Sequence, residues 1–525
     1  HVDDAEPTRV PPRPLETVEQ RPDEEAAHVR PRGDGLLHGP DGYLERGTPL
    51  GVVHTTVRPD DVIVGRAGPG HGQGDARGSG ELGVQATQVV GFLLAGMGAY
   101  GLARRLGAGR AGALLGAAAY TYAPFHLVNV YVRGDSLSEF FAMGLFPWIL
   151  WAALALVRRP SAGSFAALGG TYALLILSHN ISAMLFSPLL LVWLAAHALG
   201  DRETRSWRRL LLGVGAIGLG FLLSAWFWVP ALREQPLVQL QDQTTGYFHY
   251  PGHFRSADLV QARPIHDYAI DAERDPFAMG LVQAVLAIAA LAIVGWRAWR
   301  ARRLAPHQAV LALALVGYTW LITPWSQVVW DHVPLLPYAQ FPWRMLSVQA
   351  LAIALLGADG VATFRRPWPA LAAAGVLVVA GLGALRVDRL PLTNSDLTAE
   401  RFMLYETYSG NIGTTIRYEY LPREMVPRPH VSAVQLADGQ AAAPLALEGE
   451  VRVARRLEQG PEREVWEIEV EADALVALHR TFYPGWVATV DGAPQGVQPL
   501  EGLGLVGLRL PEGSHRVEIA YAGTR

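Results

Sequence analysis

The chain of 525 residues contains no cysteine, which excludes disulfides and any metal held by thiolates. It contains no lysine either, so all 44 strongly basic side chains are arginine. A coding bias toward GC-rich codons accounts for this better than selection for guanidinium chemistry. There is no Walker sequence, no dinucleotide glycine fingerprint, no nucleophile elbow and no HExxH. ATP-driven transport and serine hydrolysis therefore have no motif support. A net charge of -4 gives none for a nucleic-acid partner. No signal peptide is read at the start, and the chain opens at His1 rather than Met, as a fragment would.

What is present is a map of charge on apolar text. Long apolar runs extend from about Val84 to Leu385, and arginines fill alternate gaps between them. Arg104, Arg105 and Arg110 occupy one gap, and Arg158 and Arg159 the next but one. Then come Arg202 to Arg209, Arg297 to Arg303, and Arg365 with Arg366. Cationic loops stay on the cytoplasmic side, so the pattern predicts a polytopic membrane protein and its orientation. A bilayer span needs roughly 20 apolar residues. About ten are expected: Val84–Ala103, Ala111–Val130, Leu137–Val157, Phe165–Ser178, Ser182–Leu199, Leu210–Val229, Met279–Trp296, Ala309–Ile322, Leu346–Val361 and Ala370–Leu385. The loops at Tyr131–Ser136, His179, Pro230–Pro276 and Thr323–Arg344 then fall outside, with everything after Leu385.

Residues 386–525 read as an extracytoplasmic β-sandwich of about eight short strands. Val465–Val470, Ala474–Phe482 and Val517–Tyr521 are the clearest strands, and Asp491-Gly492 signals a hairpin. Residues 1–83 are polar and rich in Gly, Asp, Arg and Pro, and read as a disordered or aberrant external segment. Against the rest of the chain, much of about Pro7 to Gln85 reads as translated out of frame or as the product of a faulty gene model, which resequencing the coding region would test.

Four outer-side stretches carry candidate chemistry. In Tyr131-Val132-Arg133-Gly134-Asp135-Ser136-Leu137-Ser138-Glu139, an arginine and carboxylates could bind phosphate or hydroxyl groups. The plain alternative is a capping box of Ser136 and Glu139, which leaves Arg133 unexplained. His179 and Asn180 mark a hairpin tip at membrane depth; a turn role suits Asn180 better, and His179 stays open. Tyr247, His249 and His253 lie in an aromatic loop suited to sugar stacking, or to an interfacial aromatic belt. No tight metal-ligand spacing appears there. In Phe341-Pro342-Trp343-Arg344, Arg344 could pair with a lipid phosphate, or Trp343 and Arg344 could simply anchor the interface.

Taken together, these motifs and the Gly246-Tyr247-Phe248 loop resemble the bacterial membrane proteins labelled 6-pyruvoyl-tetrahydropterin synthase-related. The ending, Tyr483-Pro484-Gly485-Trp486 through Val490-Asp491-Gly492 to Gly513-Ser514-His515-Arg516-Val517, resembles the C-terminal domain of YfhO-type membrane proteins. The resemblance implies a fold similar to the GT-C glycosyltransferases. Those enzymes take sugar from a polyprenyl-phosphate donor on the outer face, with an early external carboxylate as the catalytic group. It implies Asp3 or Asp4 in that role, with Glu139 as fallback. Arg133 or Arg344 would hold the phosphate; Asp135, His179, Asn180, Tyr247, His249, His253 and Trp343 would complete the binding site. The expected partners are a polyprenyl-phosphate-linked sugar, an envelope glycan or lipid acceptor, and the bilayer of the bacterial inner membrane. A divalent cation is the one cofactor left open, and no metal ligands are assigned. The other readings are a carrier or flippase for a lipid-linked sugar, or an inactive membrane fragment. A carrier should show central charges and inverted repeats, and neither is visible.

Overall fold

The computed structural model describes residues 75–133, 136–200, 205–270, 275–361, 366–386, 420–425 and 444–524. Its helical part follows the expected order. The helices are α1 (Asp75–Arg105), α2 (Arg110–Thr121), α3 (Pro124–Tyr131), α4 (Leu137–Arg158), α5 (Ala162–Ser178), α6 (Asn180–Ala195), α7 (Trp207–Leu223) and α8 (Ala225–Glu234). After a loop of short 3-10 turns come α9 (Leu281–Ala301), α10 (Pro306–Leu321), α11 (Gln327–His332), α12 (Leu346–Gly360) and α13 (Trp368–Leu382).

Lengths depart from the simple picture. Among the described residues, four helices are long and apolar enough to cross a membrane, or up to six if each bent pair is one span. The run expected as one helix over Ala111–Val130 is broken. Ala123 is extended (ψ 132°) because it precedes Pro124, whose ring disfavours the helical region for the residue before it. The pairs α7–α8 and α10–α11 bend by 66° and 98°.

α12 is the centre of the bundle. Every residue in it except Asp359 is buried. It packs on α2, α9 and α10, and α2 meets it through glycines. A Cβ on Gly112 would lie 2.5 Å from the Ala358 carbonyl oxygen, and one on Gly116 3.0 Å from that of Ala354. Two glycines four apart let the backbones approach this closely.

The arginine clusters share one end. Arg158 donates to the Arg105 carbonyl (3.4 Å), and Arg209 to that of Val157 (2.9 Å), serving helix C-termini that lack partners. Arg297 pairs with Asp359 at 3.2 Å, and Gln308 donates to the same carboxylate at 2.8 Å. The start of α4 lies a whole helix away from this end.

The C-terminal region forms two antiparallel sheets. Their strands are β1 (Leu445–Glu448), β2 (Val451–Gln459), β3 (Arg463–Val470), β4 (Ala474–Thr481), β5 (Trp486–Val490), β6 (Ala493–Gln495), β7 (Gln498–Pro499), β8 (Leu505–Leu510) and β9 (Gly513–Tyr521). The sheet orders are β1-β4-β8-β7 and β2-β3-β9-β5-β6. One apolar cluster joins Ile468, Val517 and Ile519 of the second sheet to Val476, Val506 and Leu508 of the first. The expected hairpin turn is present. Asp491 and Gly492 both have positive φ (52° and 81°), as a two-residue turn between twisted strands requires. The region meets the helical part at Glu234, which accepts from Tyr483 Oη (3.0 Å) and Thr524 Oγ1, and at Gln239, which donates to the Pro422 carbonyl (2.8 Å).

Candidate functional site

The site grows from the break between α3 and α4. Asn129, near the end of α3, is wholly buried and spends its amide on the Phe125 carbonyl at 3.0 Å. Its Oδ1 accepts from Arg133 Nη1 at 2.7 Å. The same Nη1 donates to Glu139 Oε2 at 2.7 Å. Glu139 is 2% exposed and sits in the first turn of α4, where the helix dipole favours an anion. The capping box expected at Ser136 is not formed: the Ser136 side chain makes no cap bond to the helix, and Glu139 turns to arginine instead.

Arg344 arrives from far along the chain. Its Nε lies 3.5 Å from the same Glu139 Oε2. Its Nη1 donates to the Ala339 carbonyl at 3.0 Å and faces Gln340 Oε1 at 3.5 Å. Gln340, just before Phe341-Pro342-Trp343-Arg344, has φ 62° and ψ -48°, a strained backbone for a residue with a Cβ. Two guanidinium groups therefore close on one buried carboxylate oxygen.

Aromatic rings wall the pair. Arg133 lies over Trp343 and Arg344 over Phe341, each 5.1 Å from the ring centre. Trp343 stacks on Phe277 at 4.1 Å and on Phe341 at 4.7 Å. The loop after α8 completes the wall: the Tyr247 and His253 rings meet Phe341 at 5.9 and 4.7 Å. Tyr247 is 60% exposed, so its ring is open to a ligand. Below it, Tyr250 donates to Asp331 and stacks on Trp330 at 5.2 Å. Burial, and next that carboxylate, push the Tyr250 hydroxyl up to about 12, so it remains protonated as a strut.

His179 caps α6. Its Nδ1 accepts from the Ser182 backbone at 3.2 Å, and it lies within electrostatic reach of Glu139, Arg133 and Arg344. Asn180 is exposed, and its Oδ1 accepts from the Ile181 backbone at 2.8 Å, which is the turn role. His249 is exposed and turns to Tyr250 at 5.3 Å rather than to Phe341. The structure thus brings together Arg133, Glu139, His179, Tyr247, His253, Trp343 and Arg344. Asp3, Asp4 and Asp135 lie outside the described residues. Among those described, no group of three or more His, Asp or Glu could hold a metal ion.

Sequence reasoning missed Asn129 and Phe277. Asn129 had a signal, the spacing of four to Arg133 at a helix end. Phe277 had none, because its stacking on Trp343 joins residues distant in sequence.

A model of the 6-pyruvoyl-tetrahydropterin synthase related domain, described as a membrane protein, matches residues 83–394, more than half of the chain. No curated protein and no solved structure matches it. The β-sheet region lies outside the matched segment.

Proposed function

The chain belongs to the 6-pyruvoyl-tetrahydropterin synthase related family of membrane proteins, and from that premise we propose that it is a GT-C-like glycosyltransferase. It transfers a sugar from a polyprenyl-phosphate donor to an envelope glycan or lipid on the outer face of the bacterial inner membrane. In this reading the helical part is a bundle of about ten spans, some broken, and the two sheets close as an external sandwich. One observation carries the proposal: Arg133 and Arg344 meet at a single buried carboxylate, beside the exposed ring of Tyr247. Guanidinium groups suit phosphate, which accepts charge-assisted hydrogen bonds from two of them at once.

The roles follow. Arg133 and Arg344 hold the donor phosphate, while Glu139 orients both until the donor arrives. The open face of Tyr247 stacks on the sugar. An acceptor oxygen bonds to the anomeric carbon as the bond to the phosphate oxygen breaks. The leaving electron pair stays on the polyprenyl phosphate, where the arginines stabilise it. A carboxylate takes the acceptor proton. With Glu139 committed to two arginines, that role falls to Asp3 or Asp4.

Transfer from radiolabelled polyprenyl-phosphate sugars in membranes tests this. Asp3→Asn or Asp4→Asn should abolish transfer, and Arg133→Gln and Arg344→Gln should each lower it at least tenfold. Tyr247→Ala should raise KM severalfold with kcat little changed. A folded, inserted chain that transfers nothing from any donor overturns the proposal and favours the carrier or inactive-fragment reading.

A further inference from the structure

A buried polar group lies apart from the arginine pair. His266, in the loop before α9, is 1% exposed. Its backbone N–H donates to the Ala380 carbonyl at 2.9 Å, tying the loop to the end of α13. Nε2 faces the Pro276 carbonyl at 3.3 Å and, at 3.4 Å, the Gln261 amide nitrogen, which already donates to the Asp267 carbonyl at 2.9 Å. The nearer Pro276 carbonyl takes the Nε2 proton, and Nδ1 presents a lone pair. Burial lowers the ring's pKa to about 4, which keeps it neutral near pH 7. Nδ1 is buried and has no hydrogen-bond partner among the described residues.

His266 lines a chamber of about 10 Å³, room for one water-sized group. Pro264, Val282 and Ala380 also line an adjoining open groove of about 350 Å³. Ala372, Gly375 and Val379 of α13 line its length. From Ala372 to Ala380 the helix rises about 12 Å, running from its second turn to the end opposite Arg366. None of the described residues lining chamber or groove is charged.

We infer that this groove binds a neutral lipid bearing one hydroxyl group, its chain along α13 and its hydroxyl donating to His266 Nδ1. The polar end of the groove is at the outer end of α13 and the apolar part runs toward the bilayer centre, which is how a lipid lies. A lone acceptor takes one donor, and an uncharged wall offers nothing to a phosphate. The site does not depend on the transfer reading.

Photo-crosslinking of the full chain in nanodiscs tests it with three probes sharing one diazirine-bearing acyl chain. They are diacylglycerol, its acetate ester, and phosphatidic acid. Diacylglycerol should label α13 at least fivefold more than either of the others. Gly375→Leu should abolish that excess; a Cβ there meets open space, so the fold accommodates the change. His266→Phe should reduce diacylglycerol labelling to the level of the ester. Equal labelling by the ester or by phosphatidic acid overturns the inference, as does labelling unmoved by Gly375→Leu. If His266→Phe does not fold, the probe comparison and Gly375→Leu decide alone.

Discussion

Glu139 is the residue on which the site turns. A buried carboxylate shared by two guanidinium groups stabilises the fold only while all three are present. Removing one partner from a buried ion pair costs roughly 3 kcal/mol, because the remaining charge is left without compensation. Arg344→Gln should lower unfolding stability in detergent by about that amount. Glu139→Gln should do the same, for it leaves two cations facing each other. If the arginines receive a phosphate, a short-chain polyprenyl phosphate at 100 times its Kd should restore about 2.7 kcal/mol to Glu139→Gln. Restoration should be absent in the Arg133→Gln, Arg344→Gln double variant. Equal recovery in both would show that the ligand binds elsewhere.

At the scale of elements, the β5–β6 hairpin is a pH-sensitive one. His515 Nδ1 pairs with Asp491 Oδ2 at 2.7 Å, and Asp491 Oδ1 accepts from the Arg516 backbone at 2.8 Å. The hydrogen bond to Asp491 raises the His515 pKa above 6.5, and the one from His515 lowers that of Asp491 below 3.8. The histidine contribution is present below pH 6.5 and fades as pH rises through its raised value. The aspartate contribution is present above pH 3.8 and fades as pH falls through its lowered value. Hydrogen exchange, corrected for intrinsic rate, should show the β5 amides best protected between these limits and less so above neutrality. His515→Gln should remove the alkaline limb. A second element-level test concerns α2. Gly112→Ala should destabilise by roughly 2 kcal/mol through overpacking against Ala358, whereas Gly218→Ala, with nothing near its Cβ, should be neutral or better. Thermal unfolding of the two variants checks this.

Across the whole molecule, the arginine map read from sequence has a structural counterpart, because Arg105, Arg158 and Arg297 gather at one end of the bundle. Helix order and the Asp491-Gly492 turn were equally legible, since periodicity and turn chemistry are local. The meeting of Arg344 with Glu139 was not, for no local pattern encodes a contact between residues so far apart. Nor was the acceptor at His266, which exists only because the chain around it seals the other nitrogen. Orientation has a direct test in a chain without cysteine. Val453→Cys should react with a membrane-impermeant maleimide on intact cells, and Arg300→Cys only after permeabilisation. The opposite result would invert the topology.

The buried position of α12 also bears on how the protein is made. α2 leaves the ribosome long before α12, yet its glycine face is shaped for α12 alone. Until then Gly112 and Gly116 present a bare backbone groove to lipid, and α12 is too short to span a bilayer unaided. Insertion and assembly are therefore separate events. The nascent chain must wait, half built, for a helix that never touches the membrane that hosts it.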